Sequence, residues 1–518
     1  MSRLTQTCFR LCLGMRILWI DDEIELLKPH IYSLKERGYE VDVATNGPDG
    51  LELVKKRDYD LVLLDEIMPG MDGIETLSAI RVESEDVLVA IVTKSEEEEL
   101  VDSAFAKLAD DFIIKPITPT QLGSAIKRLL ERKRLVRDNL SREYSQELMR
   151  AEIPTDWEGW VQAYRRDVRW ELRFKRFGDE GLRDLGDEQR GQMRREFSLY
   201  IEENYPRWLK EGGGPGLSPR VLSQHVFPLL REGKEVVFLL FDCMRLDQFL
   251  AILPFIKEFF DAHIEYTCAI LPTATPYARN AIFAGLYPQE IAERFPHYWV
   301  WNQHGQNRHE KELLSEFLKR ERVSASIIYR KAFRGQDASR DAESIISRKE
   351  KFRVFVLNFL DVLIHSVKPD SLLEELAPSD YALVDVTRSW FANSIFPPLL
   401  ETLAERGVTV VLTTDHGFLR VAHPTIIKGG REISANLRYK YGPALTVNPK
   451  DAVSLSDPRV YKLPRFPRPT NFVIAKRDCY FIYPTKPKEY EAQYKHTLQH
   501  GGISPEEMIL PLGIFTPK

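Results

Sequence analysis

The sequence predicts a multidomain α/β protein, on three observations. A chain of 518 residues is longer than one hydrophobic core organises, and ordinary domain sizes suggest about three units. Short apolar runs that read as buried parallel strands alternate with amphipathic helical stretches in two separate regions, roughly 15–130 and 217–518. Between them, at roughly 131–216, apolar and aromatic residues keep helical spacing and no strand-like run occurs.

In the first region the apolar runs Ile17–Ile20, Leu61–Leu64, Leu88–Val92 and Phe112–Ile114 end in Asp21-Asp22, Asp65, Thr93 and Lys115-Pro116. Chemistry in a doubly wound sheet sits at the carboxyl ends of its strands, so these polar endings belong to one rim. Three carboxylates gathered there repel one another unless a divalent cation lies among them, and ligation by oxygen alone favours Mg²⁺. The acidic pair, the stretch Leu64-Asp65-Glu66-Ile67-Met68-Pro69-Gly70-Met71-Asp72-Gly73, the threonine and the Lys-Pro resemble the response-regulator receiver family, with its flavodoxin-like, doubly wound parallel sheet. The resemblance implies that Asp65 accepts a phosphoryl group from a sensor histidine kinase and that Asp21, Asp22 and Asp65 hold Mg²⁺. It further implies that Thr93 and Lys115 contact the phosphoryl group and that Phe112 is the switch aromatic.

The middle segment opens on Thr118-Pro119, an N-cap followed by proline at the first helical position. Leu122, Ile126, Leu129, Val136, Leu140, Tyr144 and Leu148 continue the helical spacing, so one helix is expected to run from the first region into a connector. Further on, Trp157, Trp160, Tyr164, Trp170, Phe174, Phe177 and Tyr200 among many Arg, Asp and Glu predict a helical linker bundle with a charged solvent face. Glu211-Gly212-Gly213-Gly214-Pro215-Gly216 reads as a flexible boundary. The expected domains are therefore 15–130, 131–216 and 217–518.

In the third region, strand candidates Glu235–Phe241, Val354–Leu360 and Val408–Leu412 lead into Asp242, Asp361 and Thr413-Thr414-Asp415-His416-Gly417, and Ile264–Ile270 is a fourth candidate. Asp361 and His365 are four apart, which puts carboxylate and imidazole on one helical face. His500-Gly501-Gly502 offers another imidazole beside permissive backbone. The mixed Asp/His set is large enough for two borderline-soft divalent ions, zinc being the commonest choice and manganese a substitute. The stretch from Pro272 to Pro288 follows a strand and opens a helix, a place suited to a phosphate group and to a metal-activated threonine.

These motifs resemble the alkaline phosphatase superfamily, in particular its nucleotide pyrophosphatase/phosphodiesterase-like branch and the PglZ group. The resemblance implies an alkaline phosphatase-like α/β effector domain with two Zn²⁺. Asp242, Thr275, Asp415 and His416 surround one ion, and Asp361, His365 and His500 hold the other. Thr275 is the implied nucleophile, with Thr273 as the fallback. The branch's phosphate-binding Asn falls on Ala278 here, which leaves Arg279, Asn280 or His304 to contact substrate oxygens. Basic and aromatic residues between 420 and 475, including Arg431, Arg438, Lys440, Tyr439, Tyr441, Phe466 and Arg468, suit a lid over a polyanion or an ordinary solvated insertion.

The order of receiver, linker and PglZ-type effector resembles the PorX-like response regulators, a family associated with type IX secretion. It implies a phosphodiesterase acting on cyclic or linear oligonucleotides, homodimerisation on phosphorylation and an extracytoplasmic-function sigma factor as partner. A different class of function is a regulator whose zinc is structural and whose effector only binds the sigma factor; a phosphomonoesterase or phosphomutase is the nearer alternative. A sulfatase is disfavoured, because neither Cys243 nor Cys268 stands at the nucleophile position.

Bulk properties add exclusions. With 43% hydrophobic and 29% charged residues and a mean hydropathy of -0.30, the composition is that of an ordinary globular protein. A net charge of -5 gives no global attraction to nucleic acid, and without a recognition helix no sequence-specific DNA binding is expected. Five scattered cysteines fit a reducing compartment, and no apolar run suits a membrane span, so a cytoplasmic protein without membrane contact is expected. Residues 1–14 precede the first motif and read as the product of an upstream start codon, with no function expected of them.

Overall fold

The computed structural model describes residues 15–84, 87–94, 109–177, 180–301, 305–333, 335–347, 349–367, 379–429, 434, 436–465 and 470–518. His304, Arg431, Phe466, Arg468 and the first fourteen residues lie outside that set. By its residue contacts the chain divides into two compact units. One takes in the described residues up to Ala151 together with Arg173–Arg183, and the other Glu152–Leu172 together with Asp184–Lys518.

The first unit carries a five-stranded sheet of β1 (Arg16–Ile20), β2 (Glu40–Ala44), β3 (Leu61–Asp65), β4 (Leu88–Thr93) and β5 (Asp111–Ile114), in the order β2-β1-β3-β4-β5 and parallel throughout. Apolar clusters cover both faces: Trp19, Leu61, Leu63 and Leu122 on one, Leu18, Leu64, Leu77 and Val89 on the other. Two-sided burial is why the central strands read as unbroken apolar runs. β2 escaped the sequence reading because it is an edge strand in which Glu40 and Asp42 alternate with Val41 and Val43. Thr118 caps the helix Pro119–Arg150, its hydroxyl accepting from Gln121 N and the Gln121 side chain returning to the cap backbone. That helix is continuous over 32 residues, so it does extend well past the sheet.

In the second unit β6 (Val236–Phe241), β7 (Phe260–Cys268), β8 (Ile327–Ala332), β9 (Phe352–Leu357) and β10 (Thr409–Thr414) join the C-terminal strand Ile509–Pro517 in one sheet. Its order is β7, the C-terminal strand, β10, β6, β9, β8. The run from β10 to β8 is parallel, and the C-terminal strand is antiparallel to β10 and β7. The expected strand Val354–Leu360 stops at Leu357, because Asn358 opens the helix Phe359–Ser366 and Leu360 is buried on its inner face. β8 went unpredicted because Tyr329, Arg330 and Lys331 interrupt its apolar pattern.

Two linker helices, Trp157–Phe177 and Glu180–Glu211, follow the connector. Trp160, Tyr164, Phe197, Ile201 and Tyr205 belong to the same continuous core as the six-stranded sheet, and Trp160 meets Phe197 edge-on at 5.3 Å. The glycine stretch read as flexible is built into this unit. Gly212 and Gly213 turn the chain at φ of 76° and 77°, and Gly216 O accepts from Cys268 N at 2.9 Å.

The segment between 436 and 475 contributes a three-stranded antiparallel sheet of Tyr439–Gly442, Asn471–Ala475 and Ala452–Leu455. Arg438 and Lys440 do not face a substrate cavity as a lid requires. Arg438 is wholly buried and donates through Nε to Glu507 at 3.2 Å, while Lys440 donates to Ser434 O at 2.9 Å. Long-range carboxylate and carbonyl partners absorb these charges. No helix among the described residues is long and apolar enough to cross a membrane.

Candidate functional site

At the rim of the first sheet, Asp21 follows β1, Asp65 ends β3, Thr93 ends β4 and Lys115 follows β5. Ligand atoms of Asp21, Asp22 and Asp65 lie within 4.8 Å of one another. Lys115 Nζ donates to Asp65 at 2.7 Å and to Asp21 at 3.1 Å. Burial raises the Asp65 carboxyl above the usual range; the Lys115 bond opposes this and the Asp21 charge adds to it. The Thr93 hydroxyl donates to Glu66, and Phe112 is half-buried against the Leu64 cluster. Carboxylates crowded with a single lysine are a fitting site for a hard divalent cation.

The second site is built at the carboxyl ends of β6, β9 and β10. β6 delivers Asp242, and β10 delivers Asp415 and His416, all fully buried. The Asp415 carboxylate is held by one oxygen. Oδ1 accepts from Cys243 N at 3.2 Å and His416 N at 3.1 Å, while Oδ2 is buried and accepts nothing. His416 Nδ1 lies 3.1 Å from Gly417 O, which turns Nε2 toward Asp242 Oδ1 and Asp415 Oδ2, each 3.8 Å away. On the helix after β9, Asp361 and His365 share a face as their spacing predicts, 3.3 Å apart. His500 Nδ1 contacts Thr273 O at 3.3 Å, and its Nε2 lies 3.1 Å from His365 Nε2 and 3.6 Å from Asp361 Oδ1. The His416 and His500 rings stack at 4.3 Å, so the two triads adjoin.

Three carboxylates and three imidazoles with converging free atoms, two of them buried oxygens of Asp361 and Asp415 with no donor, fit two divalent cations of zinc type. The electrostatics agree. Burial pushes the Asp242 carboxyl far up, and Asp415 and Asp361 add to the shift against Arg279. Burial and the neighbouring His416 and His365 hold His500 well below its usual range, in the neutral form that ligates metal. Burial alone would raise Asp361, and the adjacent His365, His500 and His416 outweigh it and hold it low.

Thr275 opens the helix Thr275–Ala284. Its Oγ1 lies 3.3 Å from Asp242 Oδ1 and 3.0 Å from His416 Nε2. Thr273, the fallback, is turned elsewhere. It is fully buried, donates to Gly502 O at 2.8 Å and accepts from Gly501 N at 3.2 Å, which anchors the loop that carries His500.

A cavity of about 1020 Å³ opens on Thr275, Asp242, Asp361, His365 and His500. The substrate-contact expectations fare unevenly here. Arg279 lines the cavity, but its guanidinium is committed: Nη1 to Asp242 Oδ2 at 2.6 Å and Nε to Glu310 Oε1 at 2.5 Å. Asn280 is turned away, donating to Pro276 O at 2.9 Å and Gln306 O at 3.2 Å. An i to i−4 carbonyl within its own helix captures that amide.

Sequence reasoning missed Glu310, Lys331 and Asn307, while it had singled out the flanking aromatics Tyr439 and Tyr441. Glu310 is buried and accepts from Arg279, Tyr329 and Lys331, the last at 2.9 Å. Asn307 donates to Thr275 O at 3.1 Å. Tyr439 and Tyr441 form part of the cavity wall. The alternation of Tyr329 and Lys331 on β8 was the one available signal, and it went unread with the strand.

Comparison with known proteins matches three family models in sequence order. The response regulator receiver domain covers residues 17–127, the PorX response regulator linker domain 132–209, and the BREX system PglZ alkaline phosphatase-like domain 221–514. Among curated proteins, the transcriptional regulatory protein ResD of Bacillus subtilis is 35% identical over 117 residues, 23% of this chain and 48% of that protein. SrrA of Staphylococcus aureus is 33% identical over 116 residues, 22% of this chain and 48% of its own length. The chain thus spans about half the length of the curated relatives it matches. Of solved structures, the response regulator TrrA of Thermotoga maritima is 32% identical and covers 22% of this chain and 98% of its own, with a TM-score of 0.21. The PglZ model alone takes in more than half of the 518 residues, and the chain belongs to that alkaline phosphatase-like family, carried here behind a receiver and a PorX-type linker in a PorX-like response regulator.

Proposed function

We propose that this response regulator is phosphorylated on Asp65 and governs a two-zinc phosphodiesterase whose nucleophile is Thr275, acting on cyclic or linear oligonucleotides. The observation that carries the enzymatic reading is Thr275 Oγ1 lying within 3.3 Å of both Asp242 and His416, at the junction of two metal-fitting triads. Asp242, Asp415 and His416 would hold one zinc ion; Asp361, His365 and His500 would hold the other. When bound, the ions supply positive charge that lowers the pKa of the threonine hydroxyl and neutralises phosphoryl oxygens.

The chain's own residues set the geometry. Asn307 fixes the backbone carbonyl of Thr275, and of the first helical turn only the Thr275 N–H is left for the phosphate, since residue 276 is proline and Tyr277 N and Ala278 N donate to Ala274 O. Thr275 Oγ attacks phosphorus in line, forming a threonyl phosphoester and releasing one ester oxygen as an alkoxide that takes up a proton. Water then cleaves the Thr275–phosphate bond and returns the hydroxyl. Tyr439 and Tyr441 on the cavity wall suit stacking with a base attached to the diester.

The PorX-type linker supports a role beside type IX secretion, with a histidine kinase upstream, a sigma factor as partner and homodimerisation on phosphorylation. The deciding experiment is Thr275→Val, assayed for bound zinc and for hydrolysis of bis-p-nitrophenyl phosphate. Zinc content should stay at the parent level while turnover falls by about a thousandfold. Parental turnover in that variant would remove Thr275 as nucleophile.

A further inference from the structure

A second cavity, of about 400 Å³, lies away from Thr275 between the linker helix Glu180–Glu211 and the loops at Lys450 and Lys476-Arg477. Arg195, Lys450, Lys476 and Arg477 line it, with Glu202 as the one carboxylate on its wall. Lys476 is spent on Glu202 and on Pro449 O at 2.9 Å, and Arg477 pairs with Asp451. Arg195 and Lys450 make no ion pair among the described residues. Arg477 Nε is buried without an acceptor, on a backbone held at φ of 53°. The positive φ belongs to the turn between Asn471–Ala475 and Cys479–Ile482, closed by Cys479 N donating to Lys476 O at 3.1 Å, and this turn holds the Arg477 guanidinium against Asp451 at the cavity edge. In a chain of net charge -5, two uncompensated cations beside an unsatisfied donor are a local feature rather than background.

The floor of this cavity reaches the catalytic loop through backbone hydrogen bonds. Arg477 N donates to Ser198 Oγ at 3.1 Å and to Ile503 O at 3.0 Å, and Ile503 N donates to Ala475 O at 2.8 Å. Ile503 lies on the same short loop as His500. We propose that this cavity is a second, non-catalytic anion site for a small ligand bearing a phosphate or pyrophosphate group, and that its occupancy tightens the loop carrying His500. Arg195 and Lys450, the two exposed cations of its lining, supply charge-assisted bonds to the phosphate oxygens. The coupling half rests on the metal-ligand role proposed for His500; the binding half does not.

The test is calorimetric titration of the full chain with inorganic pyrophosphate, with Arg195→Ala/Lys450→Ala as the site variant and Arg308→Ala/Lys311→Ala at the catalytic cavity as the control. Arg195 and Lys450 are exposed, so the site variant should keep the parent's thermal midpoint. It should weaken one pyrophosphate site by about tenfold or more, corresponding to loss of one to two charge-assisted bonds, while the control leaves that site intact. Hydrogen exchange over residues 498–507 should slow with pyrophosphate in the parent and not in the site variant. No pyrophosphate site in the parent, an unchanged isotherm in the site variant, or loss of all binding in the control overturns the site. Unaltered exchange over 498–507 with the site filled overturns the coupling.

Discussion

The two acid-rich sites of this chain stand at the same kind of place, the carboxyl ends of parallel strands, and differ in what surrounds the carboxylates. In the receiver, Asp21, Asp22 and Asp65 meet a lysine, and Asp22 is exposed. In the effector, each triad includes imidazole, and backbone carbonyls fix the outward nitrogens of His416 and His500. An oxygen-only rim open to water holds a cation that comes and goes and leaves Asp65 free to react. A walled Asp/His chamber, with the ions proposed for it, would hold them tightly and place the Thr275 hydroxyl beside one of them. The first arrangement suits a switch and the second a reaction chamber.

That contrast is broken most directly at His500. His500→Ala removes one member of a triad and exposes nothing in the receiver. Bound zinc should fall from two ions per chain toward one and diester turnover by about a thousandfold, while acetyl phosphate still labels the chain. Metal analysis and phosphate incorporation read the two sites separately, and two retained zinc ions would dissolve the proposed pairing. The mirror experiment is Asp65→Asn, which should abolish labelling by acetyl phosphate and leave both zinc ions and unstimulated turnover in place. Turnover that collapses in Asp65→Asn without any phosphodonor would mean that the two sites are one machine at rest.

A finer difference lies in the second layer. Arg279 engages Asp242 Oδ2 and leaves Oδ1 facing Thr275, and Glu310 holds Arg279 in turn. Asp65 in the receiver meets a single flexible ammonium instead. Arg279→Lys keeps the charge and loses the fork, and should weaken zinc binding by about ten- to a hundredfold in a chelator competition. Magnesium-dependent phosphorylation of the receiver should be unmoved.

Much of this was legible in the sequence because strand ends carry the chemistry. Asp21, Asp65, Asp242 and Asp415 each follow an apolar run, and Asp361 with His365 declares its helical face by spacing alone. What was not legible depends on partners distant in the chain. Arg438 looked like a phosphate-seeking side chain, and only the fold reveals Glu507, 69 positions away, beside it. Asn280 looked available until its own helix supplied the Pro276 carbonyl. Lys331 sits in the polar stretch that interrupts β8 while Glu310 opens the helix Glu310–Arg320, and a buried ion pair built from two elements leaves no periodic trace. The glycine-rich stretch at 211–216 predicts a loop but not that its far end, Gly216, is bonded to Cys268 at the sheet edge.

The smallest expected effect separates two lysines, the half-buried Lys115 in one region and the buried Lys440 in the other. Burial lowers both, but Asp65 and Asp21 more than offset it at Lys115, whose pKa ends above the usual value. At Lys440 burial is unopposed, with Ser434 O and the Tyr483 hydroxyl as its partners among the described residues, and its pKa falls to about 8. The folded state therefore releases the Lys440 proton near pH 8, whereas the unfolded chain keeps it to the ordinary lysine range. Between those limits the unfolded state binds more protons, so stability rises with pH, on the order of 2 kcal/mol between pH 8 and pH 10. Other groups titrate in the same window, and the contribution is isolated as the difference between the parent and Lys440→Met in urea midpoints at pH 7.5, 9 and 10. The parent should gain on the variant as pH rises, with diester turnover at pH 7.5 unchanged. A constant difference across the series would mean that Lys440 keeps its proton when folded and that the strand Tyr439–Gly442 is wetter than its burial indicates.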